Sequence, residues 1–244
     1  MQIHGLNKTT LLDYPGLVAS TIFTGNCNFR CPFCHNADLV LDPMSQPLIS
    51  EEEVLTHLKK RKGIVTGVCI TGGEPTLQKD LREFIMKVRE IGLSVKLDTN
   101  GYMPDVLIGL CEEGLIDFVA MDIKTAPDEY SKVTGVNIDI SRIEKSVDYL
   151  LKSNIEYEFR TTVVQEFHNR ETFDKIGQFI KGSKAYFLQG YVDSDRIIGL
   201  SEAKREGADK SFGTGMSAYS AAEMAEFKEI LIPYVKRVEI RGVD

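Results

Sequence analysis

The stretch from Thr24 to Asn36, TGNCNFRCPFCHN, decides how this chain is read. It holds three of the five cysteines, Cys27, Cys31 and Cys34, in the pattern C-x-x-x-C-x-x-C. Spacing this tight lets one short loop present three thiolates to one small inorganic body, and thiolates are the usual protein ligands of iron–sulfur clusters. Three ligands leave one iron of a four-iron cluster without a protein ligand, and an open iron can bind a substrate. The competing reading is a zinc site with His35 as fourth ligand, which requires the adjacent Cys34 and His35 to face one tetrahedral ion. Disulfides fit less well, because three clustered cysteines cannot all pair and no secretory segment precedes them.

Working outward, the apolar and β-branched run Leu17 to Thr24 reads as a buried strand that feeds the cysteine loop directly. Before it, Met1 to Gly16 reads as a short segment ending in the turn Asp13-Tyr14-Pro15-Gly16. After it the chain alternates. A helix capped by Ser50 and Glu53 precedes a strand over Gly67 to Thr71. The helix with Leu81, Phe84, Ile85 and Val88 on one face precedes a strand over Leu93 to Thr99. Pro104 and Gly114 bracket the next helix, followed by a strand over Ile116 to Ile123. Ser141 and Glu144 read as the capping box of another helix, before strands near Tyr157 to Val164 and Ala185 to Gln189. A last helix opens at Ser220 with Glu223, and Val235 to Ile240 reads as a further strand or an edge extension. Asp193 to Ser217, polar and glycine-containing, reads as a surface excursion.

Six strands alternating with helices predict an α/β fold with a parallel sheet and right-handed crossovers. Periodicity leaves open whether the sheet is an open doubly wound one or a partial barrel. The 244 residues, 43% hydrophobic, suit one catalytic domain (1–244, core about 17–190, C-terminal extension about 191–244). A net charge of −7 without a basic run argues against nucleic acid as partner. No apolar stretch is long enough to span a bilayer, and free cysteines lead us to expect the cytoplasm.

The cysteine motif, with Phe33 just before its last cysteine, resembles the signature of radical S-adenosylmethionine (SAM) enzymes. Together with DYPG, TGGEP and DTNG it resembles the glycyl-radical-enzyme activases, and LNKTTLLDYPGLVA is most similar to those of anaerobic ribonucleoside-triphosphate reductase. The resemblance implies a partial (β/α)6 TIM-like barrel with a [4Fe-4S] cluster on Cys27, Cys31 and Cys34. It implies reductive cleavage of SAM to a 5′-deoxyadenosyl radical that takes a hydrogen atom from a glycine of a partner enzyme. A reduced flavodoxin or ferredoxin would be the electron donor. The alternatives are activation of another glycyl-radical enzyme, such as pyruvate formate-lyase, or small-molecule chemistry like that of 7-carboxy-7-deazaguanine synthase. An electron-transfer protein is the rival from a different class.

By position, the resemblance assigns Phe33, Gly72, Gly73, Glu74, Lys124 and Arg160 to SAM, and Gln189 stands where the family carries a late histidine. It assigns Asp98, Thr99 and Asp122 to a monovalent cation and Asp13 to the partner's glycine loop. Each has a plainer reading. The GGEP stretch is also an ordinary strand-to-helix turn, DTNG a turn, and the charged residues solvent-facing ion pairs. His168 reads as solvated, and Cys69 and Cys111 as core residues.

Overall fold

The computed structural model describes residues 1–194, 197–199 and 215–243. Most of the expected excursion over 193–217 lies outside the described residues. The chain gathers into two compact units. One comprises Met1–Asn28, Asp38–Ala120 and Asn154–Glu156; the other comprises Phe29–Ala37, Met121–Ser153 and Tyr157–Asp244.

The first unit is built on β1 (Ile3–Thr10), β2 (Ala19–Thr24), β3 (Gly67–Gly72) and β4 (Ser94–Thr99). Helices α1 (Ala37–Leu41), α2 (Glu51–Lys60), α3 (Leu81–Ile91) and α4 (Pro104–Glu112) fall between and after them. Ser50 caps α2, accepting from the Glu53 amide, and Gly92 closes α3 in the left-handed region. The apolar stripe of α3 is buried at Leu81, Phe84, Ile85 and Val88. Strands β2, β3 and β4 are parallel, with Thr24 opposite Gly72 and Ile70 opposite Leu97. The cysteine loop, the GGEP loop and the DTNG loop therefore leave from the same, carboxyl, end of the sheet.

The opening residues depart from expectation. Rather than leading only to a turn, Ile3–Thr10 pairs antiparallel with β2, with two register shifts.

Strand β5 (Phe118–Asp122) begins in the first unit, where the Asp117 amide donates to the Val95 carbonyl. Its end belongs to the second, where the Ile123 amide donates to the Arg160 carbonyl. That unit holds α5 (Tyr130–Thr134), α6 (Ile140–Lys152), β6 (Glu156–Val163), α7 (Arg170–Phe179), β7 (Tyr186–Gly190), α8 (Ala221–Leu231) and β8 (Val238–Arg241). β6, β7 and β8 are parallel. The expected strand near the end is thus present. Helix α6 starts two residues earlier than the Ser141 box implies, because Asp139 is the cap and its carboxylate accepts from both the amide and the hydroxyl of Ser141. The six strands expected correspond to β2 through β7, in an α/β chain with parallel pairing.

Candidate active site

In the first unit, three loops join around Cys27. The Gly73 amide donates to the Thr24 carbonyl (2.8 Å) and the Glu74 amide to the Asn26 carbonyl (2.7 Å). Contact this close requires glycine. Gly72 has φ +115°, and a Cβ on Gly73 would stand 2.0 Å from the Asn26 oxygen. Glu74 is buried, and both its oxygens are used. Oε1 accepts from the Thr76 amide (3.1 Å), the Thr76 hydroxyl (2.5 Å) and the Thr99 hydroxyl (2.8 Å), and Oε2 from the Asn100 amide (2.7 Å). Burial pushes the Glu74 carboxyl up while these donors oppose it. Asn100 completes the tie: its side-chain nitrogen donates to Asn28 Oδ1 (2.8 Å) and stands 3.9 Å from Cys27 Sγ. Asn28 Nδ2 is itself buried with no hydrogen-bond partner among the described residues.

Beneath these loops, Asp98 Oδ1 lies 2.5 Å from the ammonium of Lys96, which is two residues back on β4 and so on the same face. Cys69, opposite Lys96 on β3, completes the cluster at 3.7 Å from that ammonium. Cys69 is buried, as expected, but among polar groups. Thr99 donates its hydroxyl to Glu74 and accepts from the Gly101 amide. Asp13 accepts from the Thr21 hydroxyl (2.5 Å) in the connection that enters β2, whereas the cysteine loop leaves from the other end of that strand.

In the second unit, Cys31 and Cys34 share a tight turn, the Cys34 amide donating to the Cys31 carbonyl (3.0 Å). The turn is held by Ile198 and Gly199, whose amides donate to the Cys34 and Pro32 carbonyls. Phe33 is buried against Phe167 and His168, at ring separations of 5.8 and 6.5 Å. Asp122 stands between two cations, 2.5 Å from Arg160 Nε and 2.9 Å from Lys124 Nζ. Burial alone would raise its carboxyl, but Arg160 and then Lys124 outweigh it and hold the group well below the usual carboxylate range. Lys124 is likewise held above its usual range, because the Asp122 carboxylate outweighs burial. Burial pushes the Cys31 thiol up to about 12, with the Lys124 charge opposing. Gln189 sits at the carboxyl end of β7, opposite Thr162 and Arg241 in register.

His168 corrects an expectation. It is 1% exposed rather than solvated. Its Nε2 meets the Lys124 carbonyl at 2.8 Å and its Nδ1 accepts from the Val164 amide at 3.0 Å, so the ring is the neutral Nε2–H tautomer. It thereby fixes the backbone that carries Lys124. Sequence reasoning also passed over Lys96, Asn28 and Asn100. The first is legible from the K-x-D spacing on a strand; the two amides look like ordinary turn residues.

Cys27 belongs to the first unit and Cys31 and Cys34 to the second, and among the described residues no three His, Cys, Asp or Glu side chains are gathered as metal ligands. The donor chemistry nevertheless fits a thiolate-bound group. The buried Cys31 thiol and the partly buried Cys34 thiol become thiolates only against positive charge, which Lys124 provides. Beside Cys27, Asn28 keeps a spare N–H that an anionic sulfur can accept.

A family model of the radical SAM superfamily matches residues 21–180. A Methanocaldococcus jannaschii protein described as a candidate glycyl-radical enzyme activating enzyme is 32% identical over 99% of this chain and 96% of its own length. The pyruvate formate-lyase-activating enzyme of Clostridium pasteurianum is 34% identical over 55% of this chain and 57% of its own. A probable GTP 3′,8-cyclase of Sulfolobus acidocaldarius is 34% identical over 51% of this chain and 40% of its own. Among solved structures, SuiB of Streptococcus suis bound to S-adenosylmethionine aligns with a TM-score of 0.64 at 15% identity. The alignment covers 90% of this chain and about half of that one (49%). At that identity the likeness carries the fold alone, which is the TIM-like partial barrel of parallel strands.

Proposed function

The chain belongs to the radical SAM superfamily, and on that premise we propose that it activates a glycyl-radical enzyme by taking a hydrogen atom from a backbone glycine. The observation that carries this reading is the likeness to a relative described as such an activating enzyme, which runs nearly end to end in both chains. The target we propose is anaerobic ribonucleoside-triphosphate reductase, on the strength of the opening LNKTTLLDYPGLVA. A reduced flavodoxin or ferredoxin in the cytoplasm would supply the electron. We take residues 1–244 as one catalytic domain.

When bound, a [4Fe-4S] cluster would supply the one electron needed to part SAM into methionine and the 5′-deoxyadenosyl group that would take the glycine hydrogen. Cys27, Cys31 and Cys34 would hold the cluster. Gly72 and Gly73 let the GGEP backbone pack against Thr24 and Asn26, just before Cys27, and Glu74 locks that backbone through its buried hydrogen bonds. Lys124 and Arg160 would meet anionic parts of SAM, while Phe33 keeps water from the thiols. Gln189 would lie against SAM, whereas Asp13, bound to Thr21 in the connection that enters β2, is not at the loop end of that strand. Oriented this way, the transfer is intramolecular in effect.

The test is an anaerobic electron paramagnetic resonance (EPR) assay of reconstituted, reduced protein with SAM and the reductase. We expect an organic-radical doublet that disappears when the partner's target glycine is replaced by alanine. Deoxyadenosine formed at the same rate with the partner absent would instead favour small-molecule chemistry.

A further inference from the structure

The residues assigned by resemblance to a monovalent cation do not fit one. A hard cation needs several oxygens turned toward it. Asp98 already has an ammonium 2.5 Å from Oδ1, contributed by Lys96 from the same strand, and both side chains are nearly buried, at 3% and 11% exposure. The Thr99 hydroxyl gives its proton to Glu74 and takes one from the Gly101 amide. Asp122, in the other unit, is committed to Arg160 and Lys124. Each of the three is thus engaged by groups of its own chain.

The pairing is built in. Lys96 and Asp98 are two apart on β4, so the strand's alternation turns both to one face. Cys69 lies opposite Lys96 in the parallel register and offers a soft, weakly accepting neighbour at 3.7 Å. A lysine so enclosed persists only where its charge is answered, and Asp98 answers it. An ammonium also carries the same single charge as an alkali ion.

We propose that the ammonium of Lys96 takes the place of the alkali ion, so that this enzyme binds SAM without one. Lys96 is then a positioning residue: it neutralises Asp98 and fixes the strand end that leads into Thr99 and Asn100. The inference rests on the reading of the chain as a SAM enzyme, and the experiment separates the two.

The reconstituted, reduced full-length protein is titrated with SAM in potassium chloride, sodium chloride and choline chloride at equal ionic strength, following the change in the cluster's EPR signal. The expected result is the same half-saturation in all three salts. Lys96→Met should need on the order of tenfold more SAM in choline chloride, a common size for coupling between two sites, and potassium should restore it. Ion-specific rescue is an effect that mere loss of packing does not produce. If the wild-type response appears in potassium or sodium but vanishes in choline, the inference is overturned while the SAM reading stands. No response in any salt overturns both. A Lys96→Met protein with an unchanged response in choline removes Lys96 from the role, and if that variant does not fold, the wild-type salt comparison decides alone.

Discussion

Glu74 shows how one buried carboxylate can tie separate loops together. The amides of Thr76 and Asn100 and the hydroxyls of Thr76 and Thr99 all donate to it, so only a group that accepts at both oxygens fits there. Glu74→Gln places an amide N–H against either the Asn100 amide or the threonine donors. The expected cost is about 1–3 kcal/mol in urea unfolding, the usual penalty for an unsatisfied buried polar group. An unchanged midpoint would remove the clasp from the account. His168 sets a pH dependence of known sign. Burial lowers its pKa from the ordinary 6.5, so the unfolded chain binds the extra proton more readily than the folded one. The stability it contributes is whole above that value and falls as pH drops below it. Urea midpoints at about pH 7.5 and about pH 5.5 should differ less in His168→Gln, which does not titrate in this range, than in the wild type. These two residues also differ in how they could be read. Glu74 stands in a motif, and its loop position was legible at once. His168 stands in the polar string EFHN, where nothing in the local pattern reveals that the ring turns inward to meet the Lys124 carbonyl.

At the scale of elements, the strands that carry the motifs were legible because each is a short apolar run between turn residues. Strand β1 was not, for a physical reason. Its burial follows no alternation, only Ile3 and Thr10 being fully inside, and its ladder slips twice. Helix starts were legible where the serine of a capping pair is itself the cap. At α6 it is not: Asp139, two residues before Ser141, caps the helix and binds both the amide and the hydroxyl of Ser141. At α8 it is. Ser220 accepts from the Glu223 amide (3.3 Å) while its own amide donates to the Glu223 carboxylate (2.9 Å). That helix buries Met224, Phe227 and Leu231, with the Phe227 ring tilted against Phe173 of α7 at a centroid separation of 4.6 Å. Ser220→Ala should therefore cost about 1 kcal/mol. In a chain of this length that is a fall of about 2–4 °C in Tm, measurable by calorimetry. A variant as stable as the wild type would mean that packing alone sets the start of α8.

At the scale of the whole molecule, the units are compact but neither is a continuous piece of chain. Residues 29–37 lie within the sequence span of the first unit yet pack with the second, and residues 154–156 do the reverse. A cut anywhere between residues 38 and 153 therefore separates each unit from part of its own packing. The stretch 29–37 holds Cys31, Phe33 and Cys34, whose surroundings include Phe167 and His168, beyond any such cut, and Lys124, beyond any cut before residue 124. A fragment of residues 1–120 would keep all three motif cysteines and the GGEP and DTNG loops, and by motif content alone would suffice as a cluster protein. The packing argues otherwise: Phe33 would lose its ring neighbours, and the two thiols would lose the ammonium that favours their anionic form. We expect this fragment to show no cooperative unfolding by circular dichroism. We also expect it to take up far less iron than the full chain under identical anaerobic reconstitution. Stoichiometric iron and a sharp transition in the fragment would show that the first unit suffices, and the role given to Lys124 would then fall with it.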